Sequence, residues 1–148
     1  MNLKRYSYIA RDNFQRFEFQ SEGPKGSIKK LVRFAKIRDG LPGIYNLAFG
    51  DRTAGSNDID DSVITNNADT AVVLATVAST VNDFCTHHGN HYVFAAGSTP
   101  SRTRLYQIGI AGIWTQIILD FDLSGLREGR WAQFKPNVNY DAFLVKKK

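Results

Sequence analysis

The fold is decided by one stretch of the chain, Tyr92-Val-Phe-Ala-Ala-Gly-Ser-Thr-Pro-Ser-Arg-Thr-Arg-Leu-Tyr106. An apolar run typical of a strand ends in the small-residue turn Gly97-Ser-Thr-Pro100, and a helical pattern follows. Thr99 suits the N-cap, and Pro100 suits the first helical position, where its missing N–H costs nothing. The stretch therefore predicts a strand, a tight turn and a helix in direct succession.

The same turn predicts an anion site. We expect the amides of Ser101 and Arg102 to point out of the helix end, where the helix dipole is positive. Arg102 and Arg104 lie about 160° apart on a helical wheel, so both can reach an anion only close to the helix axis. The predicted ligand-binding residues are Ser98, Thr99, Ser101, Arg102 and Arg104.

Two other interpretations of this segment stay open. The arginines can be surface charges of a well-capped helix, paired with Asp120, Asp122 or Glu128. Tyr106 lies one turn beyond Arg102 on the same side of the helix. It is a candidate proton donor or base-stacking surface, and the alternative is a ring that packs at the sheet edge.

Composition leaves several partner classes open. Lys and Arg number 19 against 14 Asp and Glu, which gives a net charge of +5. This excess is compatible with nucleic acid, phosphorylated ligands or acidic protein surfaces. The basic residues are spread along the chain, however, and the terminal Lys146-Lys-Lys148 is typical of a solvated tail. Charge therefore permits a polyanionic partner without requiring one.

Length and composition predict one globular domain over residues 1–148. A hydrophobic content of 43% argues against disorder. No apolar run approaches the roughly 20 residues of a membrane span, and the first residues lack the apolar region of a secretory signal. The single cysteine, Cys85, excludes an internal disulfide. We expect a protein of the bacterial cytoplasm with no membrane partner.

The sequence pattern of the N-terminal half predicts strands. Four runs are predicted, separated by turn clusters rich in Gly and Pro, and all show apolar alternation or β-branched residues: Tyr6 to Arg11, Phe14 to Ser21, Ser27 to Ile37 and Ile44 to Phe49. A polar loop from Asp51 to Asp61 and a short strand from Ser62 to Thr65 follow.

The C-terminal half predicts two helices and further strands. Asp69 is expected to cap a helix that ends before Gly89, with an apolar face through Val73, Val77 and Phe84. The second helix is expected to break or bend near Gly109–Gly112. A hairpin around Arg127 to Arg130 and a last strand from Tyr140 complete the chain. The predicted order is β-β-β-β-α-β-α-β-β, an α+β fold with two helices on a mixed, mainly antiparallel sheet.

The remaining reactive groups are weaker candidates, and we predict neither a metal nor a cofactor. The acidic run Asn57 to Asp61 lacks the spacing of a calcium loop. His87, His88 and His91 are interrupted by Gly89, so metal-binding geometry is not secured. Cys85 has no evident activating partner. Asn66 to Asp69 is a turn and cap, which can also line a pocket beside the second helix.

Several stretches of the chain together resemble an uncharacterised family of small bacterial proteins, a domain of unknown function. They span nearly the whole chain: Tyr45-Asn-Leu-Ala-Phe-Gly-Asp51, Ile59-Asp-Asp61, Thr65-Asn-Asn67, Val73-Leu-Ala-Thr-Val-Ala78, Gly97-Ser-Thr99, Arg102-Thr-Arg-Leu-Tyr106 and Tyr140-Asp-Ala-Phe-Leu-Val-Lys146. The resemblance implies a single domain and brings no established activity.

A second resemblance concerns the order of elements. Strands, helix, strand, helix and a strand pair are similar to the core of GNAT acyltransferases, and Arg104-Leu-Tyr-Gln-Ile-Gly-Ile110 is similar to a stretch of their second helix. This resemblance implies that Tyr106 is an acid near a thiolate leaving group. The chain departs from that family at Asn66 to Thr70, where it has no Gly-rich pyrophosphate loop.

Three functional hypotheses follow from the sequence. The first is a phosphate-bearing ligand or nucleic acid bound at the turn before the second helix. The second is an acyltransferase-like enzyme, active or degenerate, with Tyr106 near the reacting centre. The third is a protein-binding module that forms a homodimer through an exposed strand of the N-terminal sheet.

Overall fold

A computed structural model describes residues 3–60 and 66–148. Helix α1 spans Thr70–His88 and helix α2 spans Pro100–Asp120. The strands of this part of the chain are β1 (Tyr8–Arg11), β2 (Arg16–Gly23), β3 (Gly26–Arg38), β4 (Ile44–Arg52), β5 (Ile59–Asp60), β6 (Tyr92–Ala95), β7 (Phe121–Arg127), β8 (Arg130–Gln133) and β9 (Ala142–Lys147).

These strands form one mixed sheet. Along it the order is β1-β2-β3-β4-β6-β9-β7-β8, and β5 pairs with β4 outside this path. β4 and β6 are parallel, whereas the other described pairs are antiparallel. The predicted class, an α+β fold with a mainly antiparallel sheet and two helices, is confirmed.

The strands and helices form because their apolar residues recur with the matching period. Phe17 and Phe19 alternate on β2 and are buried, and α1 buries Val77, Val81 and Phe84 at helical spacing. Strand and helix side chains join in one hydrophobic cluster. Within it Phe34 of β3 stacks on Phe84 with ring centroids 4.3 Å apart. Both helices therefore cover the sheet through a shared core.

The two helices begin differently. Thr99 caps α2, because its side chain accepts a hydrogen bond from the Arg102 amide, and Pro100 occupies the first position as predicted. Asp69 occupies the N-cap position of α1 but makes no capping hydrogen bond. Its carboxylate accepts hydrogen bonds from Tyr6 and Ser21 instead. The predicted N-cap position of Asp69 is therefore confirmed, but its carboxylate binds Tyr6 and Ser21 and does not cap the helix amides.

The predicted break in the second helix is also wrong. α2 continues through Gly109 and Gly112 to Asp120. A Cβ at position 109 would lie 2.0 Å from Leu74 Cδ1, so the missing side chain lets α1 approach. Gly109 thus serves helix packing and does not end the helix. In residues 3–60 and 66–148, no helix combines the length and apolarity needed to cross a membrane.

The structure has two more strands than the predicted order. β5 lies within the segment predicted as a loop, and the three strands after α2 correspond to the predicted hairpin and last strand, which the predicted order counts as two. The predicted hairpin around Arg127 to Arg130 is confirmed as β7 and β8. The short strand predicted from Ser62 to Thr65 lies outside the described residues.

Lys30 is buried, although the sequence places it in the dispersed basic charge of the chain. Its side chain is 2% exposed and forms an ion pair with Asp51, its register partner on β4. The signal was present in the sequence, because Lys30 shares its strand parity with Ile28, Val32 and Phe34. A basic residue whose neighbours on the same face of a strand are apolar is therefore predicted to be buried.

A gap in the strand pairing positions the candidate site. β3 occupies one edge of β4, so β6 and β5 must share the other edge. Pairing with β6 ends at Leu47 and Ala95, and pairing with β5 begins only at Asp51. Between these points, Ala48 to Gly50 face a gap at the carboxyl end of the parallel pair. Ligands of α/β sheets bind outside the carboxyl ends of such strands.

Candidate anion-binding cleft

A cleft of about 270 Å³ occupies this gap. One wall comes from β4 and β5, and the other comes from the end of β6 and the first turns of α2. The polar and aromatic side chains that line the cleft are Asn46, Phe49, Asp60, Ser98, Arg102 and Tyr106. The sequence-predicted turn therefore forms one wall of the cleft and brings Ser98, Arg102 and Tyr106 together.

The turn before α2 is fixed by its own hydrogen bonds. The Gly97 amide donates to the Thr103 hydroxyl at 3.0 Å, and that hydroxyl donates to the Thr99 carbonyl at 3.1 Å. A Cβ on Gly97 would lie 2.4 Å from the Thr103 nitrogen. Gly97 is therefore required for the strand end to approach the helix backbone. The turn is preorganised because both partners of Thr103 are backbone groups of the turn itself.

The helix end offers fewer free donors than its sequence suggests. The Arg102 amide donates to the Thr99 side chain at 3.3 Å, and the Thr103 amide donates to the Thr99 carbonyl at 3.0 Å. Pro100 has no amide hydrogen. In the described part of the chain, the Ser101 amide is thus the first-turn amide that donates neither to the capping side chain of Thr99 nor to a helix carbonyl. Side chains must carry most of any anion contact here.

The two arginines of α2 line different cavities. Arg102 is half-buried in the cleft, and its Nη1 donates to the Ser98 hydroxyl. Arg104 is exposed on a separate, wider groove of about 570 Å³, which Asn139 and Asp141 also line. Ser98 borders both cavities. The structure thus groups Ser98 with Arg102 in the cleft, whereas Thr99 and Ser101 line the wider groove with Arg104.

Tyr106 sits at the back of the cleft. Its hydroxyl donates to the Phe49 carbonyl at 3.4 Å, and the two rings are tilted with centroids 5.9 Å apart. This contact uses a backbone oxygen of β4 at the gap, where β6 no longer pairs. Tyr106 therefore faces the cleft as the sequence allowed, and it also contributes to the edge packing of the sheet.

Behind Phe49 and Tyr106 lies an apolar chamber of about 90 Å³. Leu47, Phe49 and Tyr106 line both the cleft and the chamber. The other chamber walls are apolar side chains of both helices and the sheet, among them Leu74, Ala78, Ala95 and Ile110.

A third cavity, a groove of about 340 Å³, separates the start of α1 from α2. Asn66 and Asp69 line it together with Tyr106, so the expected pocket beside the second helix exists. The Tyr6 hydroxyl donates to Asp69 at 2.6 Å. Burial, reinforced by this hydrogen bond, raises the pKa of Tyr6 above its ordinary value. The Asp69 carboxylate is therefore engaged in structure.

The other candidate groups have structural partners. His91 accepts from the Gly43 amide at Nδ1 (2.8 Å), and its Nε2 lies 3.0 Å from the His88 carbonyl. This pattern fits a neutral imidazole with the proton on Nε2. Burial raises the pKa of the Cys85 thiol, which disfavours the reactive thiolate. Within the described ranges, no cluster of three or more His, Cys, Asp or Glu residues could hold a metal ion.

The opposite wall of the cleft is not among the residues that the sequence predicted. Asn46 and Phe49 lie on β4, and Asp60 lies on β5 within the predicted loop. Strand alternation alone cannot reveal this wall, because it depends on where β6 stops pairing with β4. The available signal was the parallel β-α-β connection, whose strand ends mark a common ligand position.

Comparison with known proteins places the chain in a family that has no assigned activity. A family model described as a family of unknown function (DUF6934) matches residues 2–148, so the chain belongs to that family. The first resemblance noted in the sequence is thereby confirmed. No curated protein and no solved structure matches the chain significantly. The acyltransferase likeness receives no support from these comparisons.

Proposed function

We propose that the protein binds a small phosphate-bearing molecule in the cleft between β4, β5 and the start of α2. The observation that carries this proposal is the placement of Arg102 and Ser98 in the gap where β4 and β6 cease to pair. The gap supplies room for a ligand at the carboxyl end of parallel strands, and Arg102 supplies two-pronged anion recognition.

The residues of the cleft also define the position of the phosphate. Arg102 and Ser98 lie on one wall, whereas the Asp60 carboxylate lies on the other. One charge-assisted hydrogen bond to Arg102 contributes about 1.5–3 kcal/mol. A phosphate bound at Arg102 would therefore lie between the α2 wall and the β4 wall of the cleft.

A small ligand fits better than nucleic acid. Several basic side chains of the N-terminal sheet form ion pairs with carboxylates, including Arg16 with Asp12 at 3.0 Å and Lys36 with Asp39 at 3.1 Å. Such pairs reduce the uncompensated charge available to a polyanion. Binding to generic DNA or RNA with a steep salt dependence would favour the nucleic-acid form instead.

The two arginines of α2 provide a matched pair of variants. We expect Arg102→Ala to weaken the binding of inorganic phosphate at least tenfold in calorimetric titration at constant ionic strength, because one or two charge-assisted bonds are lost. Arg104→Ala removes the same charge from the neighbouring groove and should change binding less than twofold. Equal losses in both variants would indicate general electrostatic attraction and contradict the proposal.

An acyltransferase is the second candidate. The observation that favours it is the position of Tyr106, whose hydroxyl lies at the end of the parallel pair between the cleft and the chamber. There it can serve as the acid that protonates a thiolate. Stabilisation by coenzyme A in a thermal-shift assay would favour this candidate, and no shift at millimolar coenzyme A would reject it.

A homodimer and a cytoplasmic location stay predictions. β1 is the outer strand of the N-terminal sheet, and its Ile9 is 54% exposed. Its four residues offer only a short pairing edge. Light scattering decides the oligomeric state, and a monomer across the micromolar range would reject strand-mediated dimerisation.

A further inference from the structure

We propose that the apolar chamber behind Phe49 and Tyr106 receives a short aliphatic or aromatic group of the ligand whose phosphate binds at Arg102. This inference rests on the proposed function, because the cleft supplies the charged end. It assigns the ligand to a chemical class: phosphate monoesters with a compact apolar tail.

The two cavities share a boundary. Leu47, Phe49 and Tyr106 line the cleft on one side and the chamber on the other. The chamber is lined almost wholly by apolar atoms, so it has no polar groups to hold water in place. An apolar cavity of this kind binds apolar guests. The polar cleft and the apolar chamber therefore complement the two ends of an amphipathic molecule.

Tyr106 and Phe49 form the partition between the two cavities. Their rings are tilted at 42° and only partly buried, and the 3.4 Å hydrogen bond of the Tyr106 hydroxyl is long. The ring of Tyr106 is therefore the side chain that a ligand must displace to pass from the cleft into the chamber beside Phe49. A tail that enters would pack against Leu74 and Ile110, which belong to the two facing helices.

A series of alkyl phosphates tests the inference. Each methylene that enters the chamber should tighten binding about fourfold, so butyl phosphate should bind far more tightly than methyl phosphate. Ala78→Leu and Ala95→Val fill the chamber from α1 and from β6, respectively. In both variants we expect the chain-length dependence to shrink towards zero while methyl phosphate binds as in the unaltered protein.

Ala132→Leu is the control, because Ala132 is exposed on β8 and lines neither cavity. It should leave the whole series unchanged. Equal affinity for methyl and butyl phosphate would overturn the inference while leaving the phosphate site intact. The inference would also be overturned if affinity rose with alkyl chain length in Ala78→Leu and Ala95→Val as it does in the unaltered protein, because the tail would then lie outside the chamber.

Matching alkanols separate the two proposals. If no phosphate binds, the proposed function fails. Thermal stabilisation by 1-butanol that is lost in Ala78→Leu would then still support the chamber as an apolar site. If neither phosphate binding nor stabilisation by 1-butanol were observed, the proposal that the chamber binds apolar groups would be overturned as well.

Discussion

At the scale of single residues, packing gives two basic side chains opposite roles. Lys30 is enclosed by the sheet and paired with Asp51, so its charge is committed to the fold. Arg102 is half-buried, donates to the Ser98 hydroxyl and lines the cleft. Burial and partners, rather than residue type, therefore separate the structural cation from the candidate ligand-binding one.

The buried ion pair leads to a stability prediction. Lys30→Met should lower the free energy of unfolding by about 3–5 kcal/mol, because the Asp51 carboxylate loses its buried partner. Urea denaturation measures this loss. Lys29→Met, on the exposed neighbour, should stay within about 0.5 kcal/mol of the unaltered protein.

A double substitution completes this test. Lys30→Met with Asp51→Leu removes both charges and should recover part of the loss, since an apolar pair can replace a buried ion pair. If Lys30→Met were as mild as Lys29→Met, the pair would be solvated and the burial of Lys30 would be contradicted.

At the scale of elements, the turn before α2 both stabilises the start of the helix and positions a residue of the candidate site. Gly97 brings the end of β6 against the helix backbone, and Thr99 caps the helix with the hydroxyl that the sequence suggested for anion binding. The same tight turn aims Arg102 into the cleft. A change in the turn should therefore affect both stability and ligand binding.

Two glycine variants test this coupling. Gly97→Ala should destabilise the protein by about 1–3 kcal/mol, because its Cβ would collide with backbone atoms of Arg102 and Thr103. Phosphate binding should weaken with it. Gly112→Ala is the control, because a Cβ there meets no atom within 4 Å and alanine favours the helix by up to about 1 kcal/mol. If Gly97→Ala were also stabilising, the close approach would be contradicted.

Much of the secondary structure was predictable from the sequence, since neighbouring residues determine where helices and turns begin. Thr99 and Pro100 mark the start of α2 because capping depends on neighbouring residues. The engagement of Asp69 with Tyr6 and the opposing wall at Asp60 were not predictable. Both depend on contacts between residues distant in sequence, which neither periodicity nor spacing encodes.

At the scale of the whole molecule, the sheet topology creates the site. β6 returns parallel to β4 after α1 and then leaves it at Ala95, while β4 continues to Arg52. The resulting gap lies beside the start of α2, next to the apolar chamber. The expectation that residues 1–148 form a single domain stays a prediction, and a single cooperative unfolding transition would support it.

Amide chemical-shift mapping with inorganic phosphate tests the central claim most directly. On isotope-labelled protein at constant ionic strength, we expect shifts at Ser98 and Arg102 on one wall of the cleft and at Phe49 on the other. The account predicts that these shifts disappear in Arg102→Ala and persist in Arg104→Ala. Shifts confined to the groove at Asn139–Asp141, or none at millimolar phosphate, would contradict it.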